Sequence, residues 1–337
     1  MQAVQITRPG EMAPVHLEAP VAGLGEVVID VAYAGICGSD VELFAGGRPP
    51  GYVRYPVIPG HEWSGTVSSV GDGVEAELIG RKVVGEGFRP CGACAACARG
   101  EAVLCDTSYD EIGFTRPGAW ADQLLLRADQ VHVLSDQANL RSAAGLEPAA
   151  CAADAVQRSG PIAGRRVAVV GVGTIGALTV QLLRASGAHE VLAVEPDVRR
   201  RALAELCGAT QTLHPDEARS RLGRFDVVIE AAGARSSASL AVELATRGGR
   251  VVLAGIPGGA ATVSVSDVVT KRLEIATVFG ASHSAWARAV EAFSSGALDP
   301  VILVTHEVSV SDAARAIELL TSAHANVGKI LLRPDSG

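Results

Sequence analysis

An alternation of strand-like and helix-like segments begins near residue 160 and limits the folds open to this part of the chain. The apolar segments "RVAVVG", "VLAVE", "FDVVIEAAG" and "RVVLAGI" are separated by helical patterns. Strands that alternate with helices form a parallel sheet with helices on both faces. Asp197 has the N-cap position of the second helix, and Gly187 and Gly208 stand where glycine ends a helix. We therefore expect an α/β, doubly wound domain.

The first 150 residues have a different texture. They are rich in glycine and proline and contain short β-type runs, such as "GEVVIDVAYAG" and "WSGTVSSVG", without a long helical period. Short strands bounded by turn residues indicate a β-rich, loop-rich domain. At 337 residues the chain is long enough for two domains that each bury a core.

The segment "VVGVGTIG" places three glycines between a predicted strand and a predicted helix. Gly171, Gly173 and Gly176 have G-x-G-x-x-G spacing. The first glycine allows a tight turn, the second lets the backbone approach a pyrophosphate, and the third permits close packing of helix on strand. The helix N-terminus, with Thr174 and Ile175, favours negative charge. The motif predicts a dinucleotide site.

An acidic residue follows the glycine motif at the distance where an acid binds the adenosine ribose. This residue is Glu195, at the end of "VLAVE". Its carboxylate would accept hydrogen bonds from the ribose and repel a 2′-phosphate, which favours NAD over NADP. Arg199 and Arg200 leave NADP open, because either arginine can reach a phosphate. We assign Arg200 to the ribose side and expect the other arginine to be solvated.

Four of the seven cysteines lie in "CGACAACARGEAVLC", with C-x2-C-x2-C-x7-C spacing from Cys91 through Cys94 and Cys97 to Cys105. The N-terminus, "MQAVQITRPGEMAPV", lacks a secretion signal, so we expect a cytoplasmic chain without lasting disulfides. Four thiolates fill a tetrahedral zinc site and leave no position for a substrate. The spacing predicts a structural zinc; an iron–sulfur cluster and reduced, unliganded thiols stay open as alternatives.

A second set of metal-ligand residues is spread along the chain. Cys37 lies in "GICGSD", His61 and Glu62 lie in "PGHEWSG", and Glu147 lies in "LEPAA". Cysteine, histidine and a carboxylate together leave room for one exchangeable ligand, as a catalytic zinc requires. The pieces predict an open metal site in addition to the closed one, and so two zinc ions per chain.

These motifs, in this order, resemble those of the zinc-dependent medium-chain dehydrogenase/reductase family over almost the whole chain. The resemblance implies a GroES-like catalytic domain at 1–151 and 284–337 and a Rossmann NAD-binding domain at 152–283. It also implies an NAD(P)-dependent alcohol dehydrogenase that forms a homodimer or homotetramer and binds a small-molecule alcohol.

The same resemblance assigns metal ligands. It makes Cys37 and His61 ligands of the catalytic zinc. Glu62 and Glu147 compete for the remaining protein position, because related enzymes place a carboxylate at either point. We favour Glu147 as the direct ligand, with Glu62 near the metal.

Roles beside the metal follow from the resemblance as well. Asp40 would accept a hydrogen bond from His61 and fix its ring, and Ser39 would bind the substrate oxygen and pass its proton outward. Sorbitol- and threonine-type relatives often carry histidine where this chain has Glu42. Three roles stay open for Glu42: proton transfer, contact with a cationic or polyhydroxy substrate, or exposure to solvent.

The substrate class follows from finer resemblance. "YPVIPGHEWSG", "GRKVVGEG", "EIGFTRPGAWAD" and "LEPAACAADAV" are similar to the polyol and aminocyclitol branch of the family, including enzymes of aminoglycoside biosynthesis. The expected reaction is oxidation of a secondary alcohol to a ketone. An L-threonine or sorbitol-type dehydrogenase is the alternative, and a non-catalytic zinc- and NAD-binding scaffold is a distant one.

Charge and hydropathy exclude other classes. The chain has 37 acidic and 29 basic residues, and this net charge of −8 gives no footprint for nucleic acid. The uncharged run from Val167 to Leu183 contains three glycines and is expected to be a buried strand turning into a helix rather than a membrane span.

Overall fold

The computed structural model describes residues 1–107, 109–322 and 327–335. The chain divides into two compact units. The first comprises Met1–Glu147 and Asp299–Gly337, and the second is Pro148–Leu298. The second unit therefore ends at Leu298, beyond the boundary at residue 283 that the sequence suggested, because the helix that starts at His283 belongs to it.

Strands and helices are numbered in chain order. The strands are β1 (Gln2–Arg8), β2 (Glu11–His16), β3 (Glu26–Gly35), β4 (Trp63–Val70), β5 (Lys82–Gly85), β6 (Gln123–Arg127), β7 (Val131–Val133), β8 (Arg166–Val170), β9 (Glu190–Val194), β10 (Gln211–Leu213), β11 (Phe225–Glu230), β12 (Ala245–Leu253), β13 (Glu274–Thr277), β14 (Val304–Ser309) and β15 (Lys329–Arg333). The helices are α1 (Gly38–Ala45), α2 (Ala95–Ala98), α3 (Leu140–Ala143), α4 (Leu146–Arg158), α5 (Thr174–Ala185), α6 (Val198–Leu206), α7 (Pro215–Ala218), α8 (Ser237–Leu244), α9 (Val265–Lys271), α10 (His283–Ser294) and α11 (Ala313–Thr321).

The first unit is built on β-sheets, as its short strand-like runs predicted. Strands β1 and β2 form an antiparallel pair, and a larger sheet has the order β14-β15-β3-β4-β5-β7, with β6 also pairing with β3. Strand β15 is antiparallel to β3 and parallel to β14. The C-terminal strand β15 thus lies between β14 and β3 in a sheet whose other strands come from the N-terminal part of the chain.

The second unit is an open parallel sheet with the order β10-β9-β8-β11-β12-β13. With β8 counted as the first strand this is 3-2-1-4-5-6, the order of doubly wound dinucleotide-binding folds. The expectation of an α/β, doubly wound domain is confirmed. Asp197 caps α6 by accepting a hydrogen bond from the Arg199 backbone, and Gly187 and Gly208 have the positive φ values of 79° and 101° expected after a helix.

Packing in the first unit fixes the segment that carries His61. Trp63 and Trp120 are both fully buried in its core. Gly60 has φ of +98°, and a Cβ atom there would stand 2.4 Å from the Trp120 side chain. Only glycine fits, so the residue before His61 is dictated by close packing as well as by backbone conformation.

In the described part of the chain, no helix combines the length and the apolar character needed to cross a membrane. The uncharged run from Val167 to Leu183 forms the greater part of β8 and α5, as expected.

Candidate active site

Cys37 is positioned by the start of α1. It is the N-cap of this helix, and its backbone N–H donates to Asp40 Oδ2 at 2.8 Å. The helix ends at Gly46, which has φ of 74°. The "CGSD" motif is therefore a helix start in which the aspartate holds the backbone of the cysteine.

His61 lies just before β4 and is 5% exposed. Its Nδ1 atom is 3.6 Å from Asp40 Oδ1, and neither atom has a hydrogen-bond partner although both are buried. Burial acts to lower the pKa of His61, but the negative charges of Asp40 and Cys37 raise it well above its usual value. The site therefore attracts positive charge, as a metal-binding site should.

The side chains of Cys37, His61 and Glu62 come together, with one ligand atom of each within 4.8 Å of the others. We call these three residues the mixed site. Sulfur, imidazole nitrogen and carboxylate oxygen are zinc ligands, and three protein ligands leave a fourth position open. The donor set and the unpaired Asp40 oxygen behind His61 both fit a catalytic zinc.

Glu62 is held by a residue for which the sequence predicted no role. Lys329 Nζ, at the start of β15, lies 2.7 Å from both carboxylate oxygens of Glu62 and donates to the Ile36 carbonyl at 3.0 Å. Burial acts to lower the pKa of Lys329, but the charge of Glu62 raises it. Gly35 makes room for this pair, since a Cβ there would stand 2.1 Å from Glu62 Oε2.

Glu147 is outside the mixed site in the described residues, although the sequence favoured it over Glu62 as the direct ligand. It begins the first turn of α4 and is half-buried, and its charge acts on the pKa of Lys329. Geometry groups Glu62 with Cys37 and His61, whereas Lys329 competes with a metal for that carboxylate. Ser39 is half-buried in the first turn of α1, and Glu42 on the same helix is exposed.

The four-cysteine loop, Cys91–Cys105, brings its four sulfurs within 4.8 Å of one another. The Sγ atoms of Cys91 and Cys97 are 3.8 Å apart, close to the edge of about 3.8 Å expected for a tetrahedron with zinc–sulfur bonds of about 2.3 Å. The cysteines are free thiols rather than disulfides. The loop fits a closed, structural zinc.

Hydrogen bonds prepare the loop for a cation. The backbone N–H groups of Cys91 and Cys97 donate to the sulfurs of Cys105 and Cys94 at 3.4 and 3.5 Å. Thr107 hydrogen bonds lower the pKa of Cys105 to about 6, while desolvation raises the pKa of Cys97 to about 11. Cys105 thus forms a thiolate readily, whereas a metal must displace the proton of Cys97.

The glycine motif opens α5 as predicted. Gly171 has φ of +94°, and a Cβ there would stand 2.6 Å from the Ala232 side chain; a Cβ on Gly176 would stand 1.9 Å from the Gly171 carbonyl oxygen. A Cβ on Gly173 would meet nothing within 4 Å. Two glycines are thus needed for packing, and the space beside the middle one fits a pyrophosphate.

A cavity of about 350 Å³ adjoins this motif. Gly171, Gly173, Glu195 and Arg200 line it. Glu195 is 4% exposed, and its two oxygens accept the backbone N–H groups of Val172 at 2.8 Å and of Asp197 at 3.1 Å. Glu195 therefore fixes the glycine turn while facing the cavity.

The three arginines that follow Glu195 make different contacts. Arg199 is paired with Asp197, whose pKa is lowered by hydrogen bonds from Arg199, and Arg201 donates to the Glu195 carbonyl at 2.7 Å. Arg200 alone of the three lines the cavity. Thr174 and Ile175 are half-buried in the first turn of α5 and, within the described chain, are not among the residues lining this cavity.

Two family models match the chain: the alcohol dehydrogenase GroES-like domain at residues 23–136 and the zinc-binding dehydrogenase domain at residues 174–295. The L-threonine 3-dehydrogenase of Idiomarina loihiensis is 30% identical, covering 95% of this chain and 95% of that protein. The 2-dehydro-3-deoxy-L-galactonate 5-dehydrogenase of Pseudoalteromonas atlantica is 33% identical over 84% of each chain.

Among solved structures, a zinc-binding dehydrogenase from Sinorhizobium meliloti bound to NADP has a TM-score of 0.92 at 30% identity, covering 99% of both chains. Sequence and structure thus match the same kind of enzyme along nearly the full length. The chain therefore belongs to the zinc-dependent medium-chain dehydrogenase/reductase family of alcohol dehydrogenases, with a GroES-like domain and a Rossmann-like domain.

Proposed function

We propose that this alcohol dehydrogenase oxidises a secondary alcohol of a polyol or aminocyclitol to a ketone and transfers the hydride to NAD. The observation that carries the proposal is the mixed site, in which Cys37, His61 and Glu62 supply three different zinc ligands and leave one position open. A non-catalytic scaffold would have no need for an open position.

The mixed site would hold the zinc, which when bound makes an alcohol hydroxyl acidic near neutral pH. Asp40, whose Oδ1 lies 3.6 Å from His61 Nδ1, would accept the proton of that nitrogen and fix the ring, so that the other ring nitrogen could bind the metal. Ser39, in the first turn of α1, would accept the hydroxyl proton of the substrate while its own hydroxyl proton passes to solvent. The four-cysteine loop would hold the second zinc.

NAD is favoured as the cofactor. The Glu195 carboxylate is fixed by two backbone N–H groups at the wall of the cavity. The fixed negative charge of Glu195 would repel a 2′-phosphate at this wall, whereas ribose hydroxyls can donate hydrogen bonds to it. Arg200 is the only one of the three neighbouring arginines that lines the cavity, and it would lie along the ribose.

An aminocyclitol of the kind oxidised by 2-deoxy-scyllo-inosamine dehydrogenase in aminoglycoside biosynthesis is the favoured substrate. The support is that four sequence motifs, among them "YPVIPGHEWSG" and "EIGFTRPGAWAD", are similar to those of the polyol and aminocyclitol branch of the family. The threonine dehydrogenase alternative is favoured by the 30% identity to the Idiomarina enzyme. Glu42, where threonine-type relatives often carry histidine, counts against it.

A substrate panel tests these assignments. Polyols, amino alcohols including L-threonine, and aminocyclitols are supplied with NAD and with NADP, and the absorbance of the reduced cofactor is followed. We expect turnover with NAD, highest for an aminocyclitol. Activity confined to L-threonine or sorbitol would overturn the substrate assignment, and no turnover by protein containing two zinc ions would overturn the proposed function.

A further inference from the structure

A carboxyl group outside the mixed site is buried in the same unit. Glu111 is 6% exposed and follows directly on Tyr109 and Asp110. Its backbone is fixed: the N–H donates to Thr115 Oγ1 at 2.8 Å, and the carbonyl accepts from the backbone of Thr115 at 3.0 Å. A β-bridge to Phe88 holds it from the other side. The direction of the Glu111 side chain is therefore set by the backbone.

The carboxyl group has one hydrogen-bond donor among the described residues, the hydroxyl of Tyr109. No arginine, lysine or histidine of the described chain forms an ion pair with it. Burial, the largest cause, raises the pKa of Glu111 to about 8. The charges of His61 and Arg48 act to lower this pKa but form no ion pair with the carboxyl group, which therefore stays buried without a paired cation.

Residues at and near the mixed site act electrostatically on this carboxyl group. The charges of His61 and Arg48 lower the pKa of Glu111, and those of Glu147 and Asp40 raise it. The Phe114 ring stacks on the His61 ring with centroids 4.9 Å apart. Glu111 therefore belongs to the surroundings of the mixed site.

The charge of Arg48 acts to lower the pKa of Glu111, but its hydrogen bond goes to Tyr109, the partner of Glu111. Its guanidinium carbon is 3.9 Å from the centroid of Phe114, and its Nη2 donates to the Tyr109 hydroxyl at 2.9 Å. Tyr109 in turn donates to Glu111. The three side chains thus form a hydrogen-bonded chain in which Arg48 donates to Tyr109 and Tyr109 donates to Glu111.

We propose that Glu111 binds an ammonium group of the substrate and that Tyr109, braced by Arg48, holds the carboxylate in position for it. An ammonium group brings the ion-pair partner that the carboxyl group lacks, so that donor and acceptor are both charged, whereas a hydroxyl in the same place donates as a neutral group. The exposed Glu42 is then not needed as a counter-charge. The inference rests on the proposed function and restricts its substrates to amino alcohols, including aminocyclitols and threonine but not sorbitol.

The test uses two pairs of alcohols that differ only in an amine or a hydroxyl: scyllo-inosamine with scyllo-inositol, and 1-amino-2-propanol with 1,2-propanediol. The zinc-loaded wild type is compared with Glu111→Gln and with Glu77→Gln, an exposed control in the same unit. Glu111→Gln is expected to lower kcat/KM for the amine of a pair by roughly 10- to 100-fold, mainly through KM. The diol or cyclitol should change less than about threefold, and Glu77→Gln should change neither.

A second readout does not depend on turnover. The amines are titrated by calorimetry into the same proteins with NADH bound, and Glu111→Gln should weaken their binding by the same factor. Equal losses for amine and hydroxyl compounds, or no loss for either, would overturn the role of Glu111. Absence of turnover for every alcohol, with amine binding still sensitive to Glu111, would instead overturn the proposed function.

If Glu111→Gln does not fold, Glu111→Asp is measured in its place. Aspartate keeps the negative charge, but its shorter side chain places that charge farther from the substrate. The variant is expected to retain a weakened preference for the amine of each pair. Amine and hydroxyl compounds falling together in this variant would overturn the proposal.

Discussion

The four-cysteine loop and the mixed site gather candidate metal ligands in opposite ways. The loop takes four like residues from fifteen consecutive positions and closes all of them around one point. The mixed site takes three unlike residues from α1 and from the start of β4, and its neighbour Lys329 comes from a strand 267 positions after Glu62. A closed set of four thiolates can come from one short segment, because its only task is to bind the metal. An open site also needs charged and polar neighbours, and only the complete fold supplies these.

Replacement of Cys37 is expected to have the largest effect and tests whether the mixed site binds its own zinc. Cys37→Ser should lower kcat/KM by at least about a thousandfold, because the Lewis acid contributes several kcal/mol to the reaction. Zinc content should fall from two ions to one, with the cooperative unfolding transition retained. Elemental analysis and thermal unfolding check this, with Cys207→Ser as a thiol variant outside both sites. Full zinc content in Cys37→Ser would contradict the assignment.

Removal of Lys329 sharpens the question of which glutamate binds the metal. Lys329→Met leaves the Glu62 carboxylate buried without its cation, which should lower the free energy of unfolding by about 3–5 kcal/mol. The double variant Glu62→Gln with Lys329→Met should recover most of this loss. Urea unfolding measures both. A loss below about 1 kcal/mol in Lys329→Met would mean that Glu62 pairs with the metal instead of the lysine.

The loop is tested through stability. Cys97→Ser should release one zinc and lower the melting temperature by about 6–12 °C, the shift expected for roughly 3 kcal/mol in a unit of this size. The mixed site should keep its zinc, so part of the activity remains. Calorimetry and zinc analysis provide the measurement; a variant with unchanged melting temperature would show that the loop needs no metal.

Asp40→Asn gives a smaller effect. Asparagine still accepts the Cys37 N–H but loses the charge that faces His61, so zinc affinity of the mixed site or kcat should fall about 10- to 100-fold. Competition with a chelator measures the affinity, and the exposed Asp30→Asn is the matched control. Equal behaviour of the two variants would remove Asp40 from the site.

The local features of the chain were predictable from sequence. The doubly wound sheet follows from alternation, the turn at Gly171 from the glycine spacing, and the cap at Asp197 from its position before a helical pattern. In each case the sequence signal lies within a few residues or one strand–turn–helix unit, even where the contact it allows, such as that of Gly171 with Ala232, is distant in sequence. The spacing of the four-cysteine loop is local in the same sense.

Lys329 and Glu111 were not predictable, because their roles depend on distant partners. Lys329 reaches Glu62 only because β15 pairs with β3, and "VGKILLRP" by itself is an ordinary strand. One signal was present: lysine occurs three times among 29 basic residues, and in the structure each lysine donates to backbone carbonyls or to Glu62. A compact ammonium group used so rarely indicates positions that the larger guanidinium group does not fit.

X-ray absorption at the zinc edge of the two single-site variants tests the difference between the sites most directly. In Cys37→Ser the remaining zinc should have four sulfur neighbours at about 2.3 Å, and in Cys97→Ser it should have one sulfur with nitrogen and oxygen neighbours at about 2.0–2.2 Å. The same surroundings in both variants, or iron in place of zinc in the loop, would contradict the account of one closed and one open zinc site.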